Sequence, residues 1–499
     1  MFNWHHKALA TLSFTISFIV YVLTMAPTTS FWDCGEFIAT SVIMGVPHPP
    51  GSPLYLILGN VFSQLPFFED IGARVNLISP LASAAAVMFL YLICVDLMKK
   101  IKSDTKDKHY NFLLINGSAF IASLVFAFTD SHWFNAVEAE VYSISTFFTA
   151  IIVWMILKWS DQAGKRGNVK YIIGIAYLFG LAIGIHLLCL LVLPCIALII
   201  YYEKYNFNIE GILITALITI CVFLFIYLGI VKGIPNLANS LGIYSFPFIL
   251  IVLISILIWS ISKSIHLVSV ITSCIFFIII GYSTYTTIFI RAQQHPNINE
   301  NNPDNIESFL SYMNREQYGD WDILDRSSTI KREENTNWRR YTANKYNPST
   351  SEVINYVWNY QIKEMYLRYF AWQFAGRGDF NWPIVNKDGT IIKYLEGINW
   401  FKYGLPFALL FGLFGLYYHF QNDPKYFLVV LALFLTTGIM IILYLNQYDP
   451  QPRERDYSYV GSFFAFSIWI AIGIMGFLES ILSYIRKSQF KGYILLSSL

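Results

Sequence analysis

The sequence predicts an all-α polytopic membrane protein of about twelve transmembrane helices, with a small extracytoplasmic domain inserted between helices 9 and 10. Three observations carry that expectation. Hydrophobic residues make up 56% of the 499 residues and charged residues only 13%, with a mean hydropathy of +0.50, whereas soluble domains carry about 25% charge. Apolar runs of roughly 17 to 25 residues, each long enough to cross the hydrocarbon as a helix, recur along the chain. Lysine and arginine collect in alternate connections, as the positive-inside rule asks.

The first run, near residues 8 to 25, follows a basic start and has no A-x-A-like cleavage site. It therefore reads as a retained signal anchor running from inside to outside. Residues 26 to 73 form a first outer loop, whose apolar pieces "FIATSVIMGV" and "LYLILGNVFSQLPFF" are too short to cross alone and should lie in the interface or re-enter. Further spans fall near 74 to 98, 112 to 129, 137 to 159, 209 to 231, 243 to 262, 266 to 290, 400 to 419, 425 to 445 and 458 to 483. The stretch 170 to 202 would make a helix of about 50 Å, so it is expected to break around Gly184 and His186 into two short spans. That split puts "KKIKSDTKDKH", "KWSDQAGKRGNVK", Lys204, Lys263, Lys425 and the terminal "IRKSQFK" inside, with both chain ends cytoplasmic and Lys232 and Arg291 as exceptions. Three modules result: an N-terminal transmembrane module, 1–291; an extracytoplasmic segment, 292–398; and C-terminal transmembrane helices, 399–499. Within the outer segment, Arg326 to Glu352 is polar and expected to be a mobile loop. The following "VINYVWNYQIKEMYLRYFAWQF" has helical spacing, with a Glu364 to Arg368 pair one turn apart.

A formal net charge of +2 gives no sign of a nucleic-acid partner. Of the six cysteines, only Cys34 lies near a loop, which is no disulfide framework. No metal-ligand spacing is present, and metal dependence stays open. The chain carries no Walker loop, Rossmann fingerprint, HExxH or GxSxG motif and no internal repeat.

Three charged clusters fall on the outer face in this topology. In "FWDCGEFIATSVIMGVPHPPGSPLY", Asp33 and Glu36 share a face if the segment turns helical. The prolines hold His48 on a rigid extended corner. A carboxylate beside a bilayer is a natural general base, its pKa raised by desolvation. The bland alternatives are a capping box for Asp33 and Glu36 and a backbone-bonded turn for His48. In "SHWFNAVEAEVYSIST", Glu138 and Tyr142 are four apart and share a helical face, with Glu140 pointing elsewhere. Ionisable groups entering an apolar helix are functional candidates, though the headgroup region also tolerates them. In "NQYDPQPRERDYSYVGSFFAF", Arg453 and Arg455 are forked donors suited to phosphate, weighed against a solvated ion-pair loop. His186, within apolar sequence, is a helix-packing residue or a ligand.

Taken together, "DCGEFIATSVIMGVPHPPGSPLY", "AVEAEVYSIST", "NINENNPDN", "SYMNREQYGD" and "PRERDYSYVGSFFAFSIWI" resemble the bacterial branch of glycosyltransferase family 117, GT-C enzymes of the transmembrane protein O-mannosyltransferase type. The resemblance runs from about residue 30 to 475, and D-x-G-E followed by HPPG-x-P-L-Y is its most specific part. It implies a multi-pass enzyme of the bacterial cytoplasmic membrane with an outward-facing site. Such an enzyme transfers a sugar, mannose, from a polyprenyl-phosphate donor to Ser or Thr hydroxyls of translocated proteins. In that role Asp33 would be the base and Glu36 its positioning partner. Glu138, Glu140, Tyr142 and His48 would position acceptor or sugar, while Arg453 and Arg455 are phosphate candidates by their chemistry. A lipid-linked donor carries its own activated sugar phosphate, so no nucleotide fold is needed. Two departures stand out: Cys34 replaces the small residue, commonly Ser, of the family pattern, and relatives continue into a longer soluble C-terminal region. Acceptor recognition is therefore expected to involve a separate soluble protein. Transfer to a glycan or lipid acceptor is an alternative. A transporter or flippase would place charges deep in the helices and show repeats, and a noncatalytic assembly subunit would tolerate Asp33→Asn.

Overall fold

The computed structural model describes residues 2–102, 108–242, 244–319, 323 and 325–497. Part of the basic connection 99 to 109 thus lies outside the described residues. Helices dominate, as expected. Among the described residues, eight are long and apolar enough to cross a membrane: Trp4–Thr24, Ile71–Ile101, Val141–Ser160, Ile209–Leu241, Ser245–Ser262, His266–Ala292, Pro424–Leu445 and Asp456–Leu482. A ninth arises if Phe112–Ala127 and Asp130–Ala136, bent by 69°, count as one span. The stretch 170 to 202 is broken where its glycine and histidine stand. Helix Val169–Ile183 stops at Gly184, His186 is extended, and its Nδ1 accepts from the Leu188 N–H at 3.2 Å before a new helical turn begins. The two apolar pieces of the first outer loop are the short helices Cys34–Ile43 and Pro53–Ser63.

The chain divides into two compact units. One comprises Phe18–Ala86 and His132–Asp322; the other comprises Met1–Ser17, Val87–Ser131 and Ile323–Leu499. The outer segment 292–398 is shared between them because its two parts bind different loops.

In the first unit, Cys34, Phe37, Tyr55, Val75, Ile144 and Phe148 pack one buried core beneath the short helices. Helix Val169–Ile183 crosses His266–Tyr282 at glycines: a Cβ on Gly180 would stand 2.2 Å from the Ile278 carbonyl oxygen, so only bare backbone allows this approach.

In the second unit, the helical run Thr350–Phe374 is π-wound through Val357–Leu367, and an antiparallel hairpin follows, Arg377–Val385 with Ile391–Ile398. The expected Glu364 to Arg368 pair does not form. Glu364 is taken by Arg340 at 2.7 Å, and Arg368 turns to Glu454 at 2.7 Å. Loops packed on both sides of the helix supply better partners than its own next turn. Nor is the polar stretch 326 to 352 a bare loop. Tyr341 and Thr342 are buried, and Asp449 accepts from Arg340 at 2.6 Å, from Asn337 at 2.9 Å and from the Tyr341 hydroxyl. Buried charges are tolerated when matched in this way.

Candidate active site

The site grows from the start of helix Cys34–Ile43. Asp33 occupies its N-cap position, but the carboxylate makes no capping bond. Glu36, one turn in, points at the proline corner instead of closing a capping box. The helix stops at Ile43 because Met44 takes a left-handed cap (φ 50°), and Pro47, Pro49 and Pro50 forbid its resumption until Pro53 opens the next helix. The corner delivers His48 back to Glu36: the His48 N–H donates to Oε1 at 2.7 Å and Nδ1 lies 2.5 Å from Oε2. His48 is therefore a carboxylate-held imidazole rather than a backbone-bonded turn residue.

This pairing reverses the electrostatics expected of Glu36. Burial works to raise its pKa, but the bonds from the His48 ring and N–H outweigh burial and hold the carboxyl below its ordinary range. The bond to Glu36 in turn lifts His48 above the ordinary histidine value, against burial, with the Asp33 charge adding to the lift. Cys34 is fully buried, and burial pushes its thiol up, the behaviour of an inert small residue.

Glu138 and Glu140 are not on a helix. Helix Val141–Ser160 begins only after them, Glu140 being its extended N-cap (φ −136°, ψ 148°), so the expected helical face shared by Glu138 and Tyr142 does not exist. The cause is local: helix Asp130–Ala136 ends, and the Val137 carbonyl is claimed by the Ala26 N–H at 2.8 Å. Both carboxylates are turned inward, 4% and 3% exposed. The Ser30 hydroxyl donates to Glu138 at 2.6 Å, and the charges of both acids act on Cys34 and Tyr55. The first two sequence clusters are thus one site. Tyr142 packs against the core that holds Cys34, Tyr55 and Ala139, and its ring meets His186 at 5.4 Å between centroids.

Arg453 and Arg455 belong to the second unit. Both guanidinium groups lie over the Tyr457 ring, at 4.7 and 6.0 Å. Arg453 also donates to the Tyr457 hydroxyl at 3.2 Å, and Arg455 donates to Gln451 at 3.2 Å and to the Tyr457 hydroxyl. Their acidic neighbours are committed elsewhere, Glu454 to Arg368 and Asp456 to the Ser131 hydroxyl. Both acids of the run are therefore bound by residues outside it. Among the described residues no three His, Cys, Asp or Glu side chains converge as metal ligands.

Three residues of the site carry no role in the sequence pattern, although Tyr55 and Arg315 stand in the quoted motifs. Ser30 carries no signal. Tyr55, fully buried between Cys34 and the two glutamates with no hydrogen-bond partner for its hydroxyl among the described residues, is the last letter of HPPG-x-P-L-Y. Arg315 lies far along the chain, yet its charge acts on His48 and His186.

Fold and site together define a polytopic helical membrane protein with two acidic pairs, one of them holding an imidazole, gathered on short helices between its long spans. Within that class, residues 33–209 match the family model described as the protein O-mannosyl-transferase TMEM260 N-terminal domain. Similar proteins are the protein O-mannosyl-transferase tmem260 of Dictyostelium discoideum, 27% identical over 191 residues, and TMEM260 of Mus musculus, 26% identical over 154. The alignments cover 35% and 30% of this chain but 21% and 19% of those proteins, so the match spans about a fifth of the length of the curated relatives. No solved structure matches. The matched residues contain Asp33, Glu36, His48, Glu138, Glu140, Tyr142 and His186, whereas Arg315, Arg453 and Arg455 lie outside them.

Proposed function

We propose that this chain is a membrane glycosyltransferase that moves mannose from a polyprenyl-phosphate donor to Ser or Thr hydroxyls of translocated proteins. The observation that carries the proposal is the joining of Asp33, Glu36 and His48 with Glu138 and Glu140 inside the region similar to protein O-mannosyl-transferases. Asp33 takes the proton of the acceptor hydroxyl as its oxygen attacks the anomeric carbon. The bond from that carbon to the phosphate oxygen breaks, and polyprenyl phosphate leaves with inversion. Glu36 acts through His48, fixing the corner beside the base. Glu138, with Glu140 and Tyr142, positions acceptor or sugar, and Arg453 and Arg455 are candidates for the donor phosphate. The reading places the chain in the bacterial branch of family 117, with twelve spans once the bent pair, Val169–Ile183, Leu187–Tyr202 and Phe407–Asn422 are each counted as crossing, and the site on the outer face of the cytoplasmic membrane.

The test is to incubate the purified protein with polyprenyl-phosphate mannose and a Ser/Thr-rich peptide and look for hexose addition by mass spectrometry. No transfer by a folded preparation, across several donors and acceptors, would sink the proposal. Sidedness has its own check: Lys345→Cys should be labelled by an impermeant reagent from outside only, and labelling from inside would refute the twelve-span arrangement.

A further inference from the structure

Residues 291 to 315 lie outside the matched region but are bound to the proline corner along their whole length. Arg291 donates to the carbonyls of Met44 at 2.7 Å and Ile43 at 3.1 Å. Val46 donates to the Ile298 carbonyl at 2.9 Å and accepts from the Glu300 N–H at 3.0 Å. Tyr312, fully buried on helix Ile306–Asn314, donates to the Pro47 carbonyl at 2.6 Å. Gly51 (φ +71°) makes room for that tyrosine, since a Cβ there would stand 2.6 Å from its hydroxyl.

One turn beyond Tyr312 the helix ends on Arg315, held left-handed (φ 61°, ψ 34°) by bonds from its N–H to Ser311 and Tyr312. Glycine or asparagine usually fills that position; here it carries a cation. The guanidinium is exposed, lies 4.9 Å from the Tyr318 ring, and makes no ion pair or side-chain hydrogen bond among the described residues. Its charge acts on His48 and His186. The unit that holds the carboxylates thus has its own cation anchored to the His48 corner, with its fork of donors uncommitted.

We propose that Arg315 binds the phosphate of the lipid-linked donor, an inference that rests on the transferase reading. The donor phosphodiester carries one negative charge, and departure of the sugar leaves a phosphate monoester with a second. A forked donor beside the breaking bond stabilises that added charge in the transition state. Arg315 then acts on the leaving group, opposite in role to Asp33 on the attacking hydroxyl.

The experiment uses the full chain in lipid nanodiscs. Transfer kinetics are compared for wild type, Arg315→Gln, Arg315→Lys and Arg453→Gln, and binding of farnesyl phosphate is compared with that of uncharged farnesol. Arg315→Gln should lower kcat by about 100-fold, leave the peptide KM unchanged and abolish the preference for farnesyl phosphate over farnesol. Arg315→Lys should restore part of both. Unchanged kcat and phosphate preference in Arg315→Gln, or the whole loss appearing in Arg453→Gln instead, overturns the assignment. A wild-type protein that transfers no sugar overturns the transferase reading, while the binding comparison still decides whether Arg315 holds phosphate.

Discussion

Replacing Glu36 by glutamine keeps the side chain's shape and removes its charge. Glutamine can still accept from the His48 N–H, so the loss falls on the contact with Nδ1, now 2.5 Å. A charge-assisted bond is worth about 1.5–3 kcal/mol. The side chains are 33% and 25% exposed, so solvent screening favours the low end of that range, about 1.5 kcal/mol or tenfold in the folding equilibrium. The pH dependence identifies the source. His48, raised above its ordinary 6.5, contributes stability fully below that pH and loses it as pH climbs through the raised value. Glu36, lowered below its ordinary 4.5, contributes above that pH and loses it as pH falls through the lowered value. The difference between wild type and Glu36→Gln, followed by unfolding of the nanodisc-held protein, should therefore be flat between pH 4.5 and 6.5 and shrink on either side. Nitrogen NMR of the His48 ring should show its titration falling in the variant. A stability difference independent of pH, or a His48 ring that titrates alike in both proteins, would refute the coupling.

Other substitutions separate chemistry from scaffold. Asp33→Asn should cut sugar transfer by about 10²- to 10⁴-fold while the unfolding temperature stays put; retained transfer removes Asp33 as base. Asp449→Asn strips the charge shared by Arg340, Asn337 and Tyr341 and should cost about 3–5 kcal/mol in denaturant titrations. Gly51→Ala combines a positive φ with the Tyr312 clash and should cost about 1–3 kcal/mol, read as faster proteolysis between residues 292 and 318. Proteolysis unchanged from wild type would mean that Tyr312 does not anchor this segment.

Much of the helical frame is legible from apolar length alone, because a span must satisfy its backbone internally and announces itself as an unbroken run. The break at Gly184 and His186 and the two short helices around "PHPPGSP" follow from the same arithmetic. The hairpin Arg377–Ile398 is signalled only by Asp388-Gly389, because neither strand carries the period-two burial that marks a half-buried sheet. Glu138 and Glu140 were read onto a helix because periodicity does not report where a helix starts; a bond from distant Ala26 sets that boundary. The partners of Glu364, Arg368, Glu454 and Asp456 all stand remote in sequence, and charge spacing along one helix is silent about them. Arg315 shows the same limit: it stands inside the quoted "SYMNREQYGD", but its surroundings are made by contacts with the proline corner that no local spacing reports.

The bond between Tyr312 and Pro47 joins residues 265 positions apart. At a synthesis rate of roughly 5–20 residues per second, the corner emerges on the order of ten to fifty seconds before the tyrosine that will hold it. During that interval the corner lacks the hydroxyl that bonds the Pro47 carbonyl. The proline corner of the matched region is therefore completed by a residue that lies outside that region. A ribosome stalled before residue 312 would leave inserted helices with an open site, a natural substrate for membrane quality control.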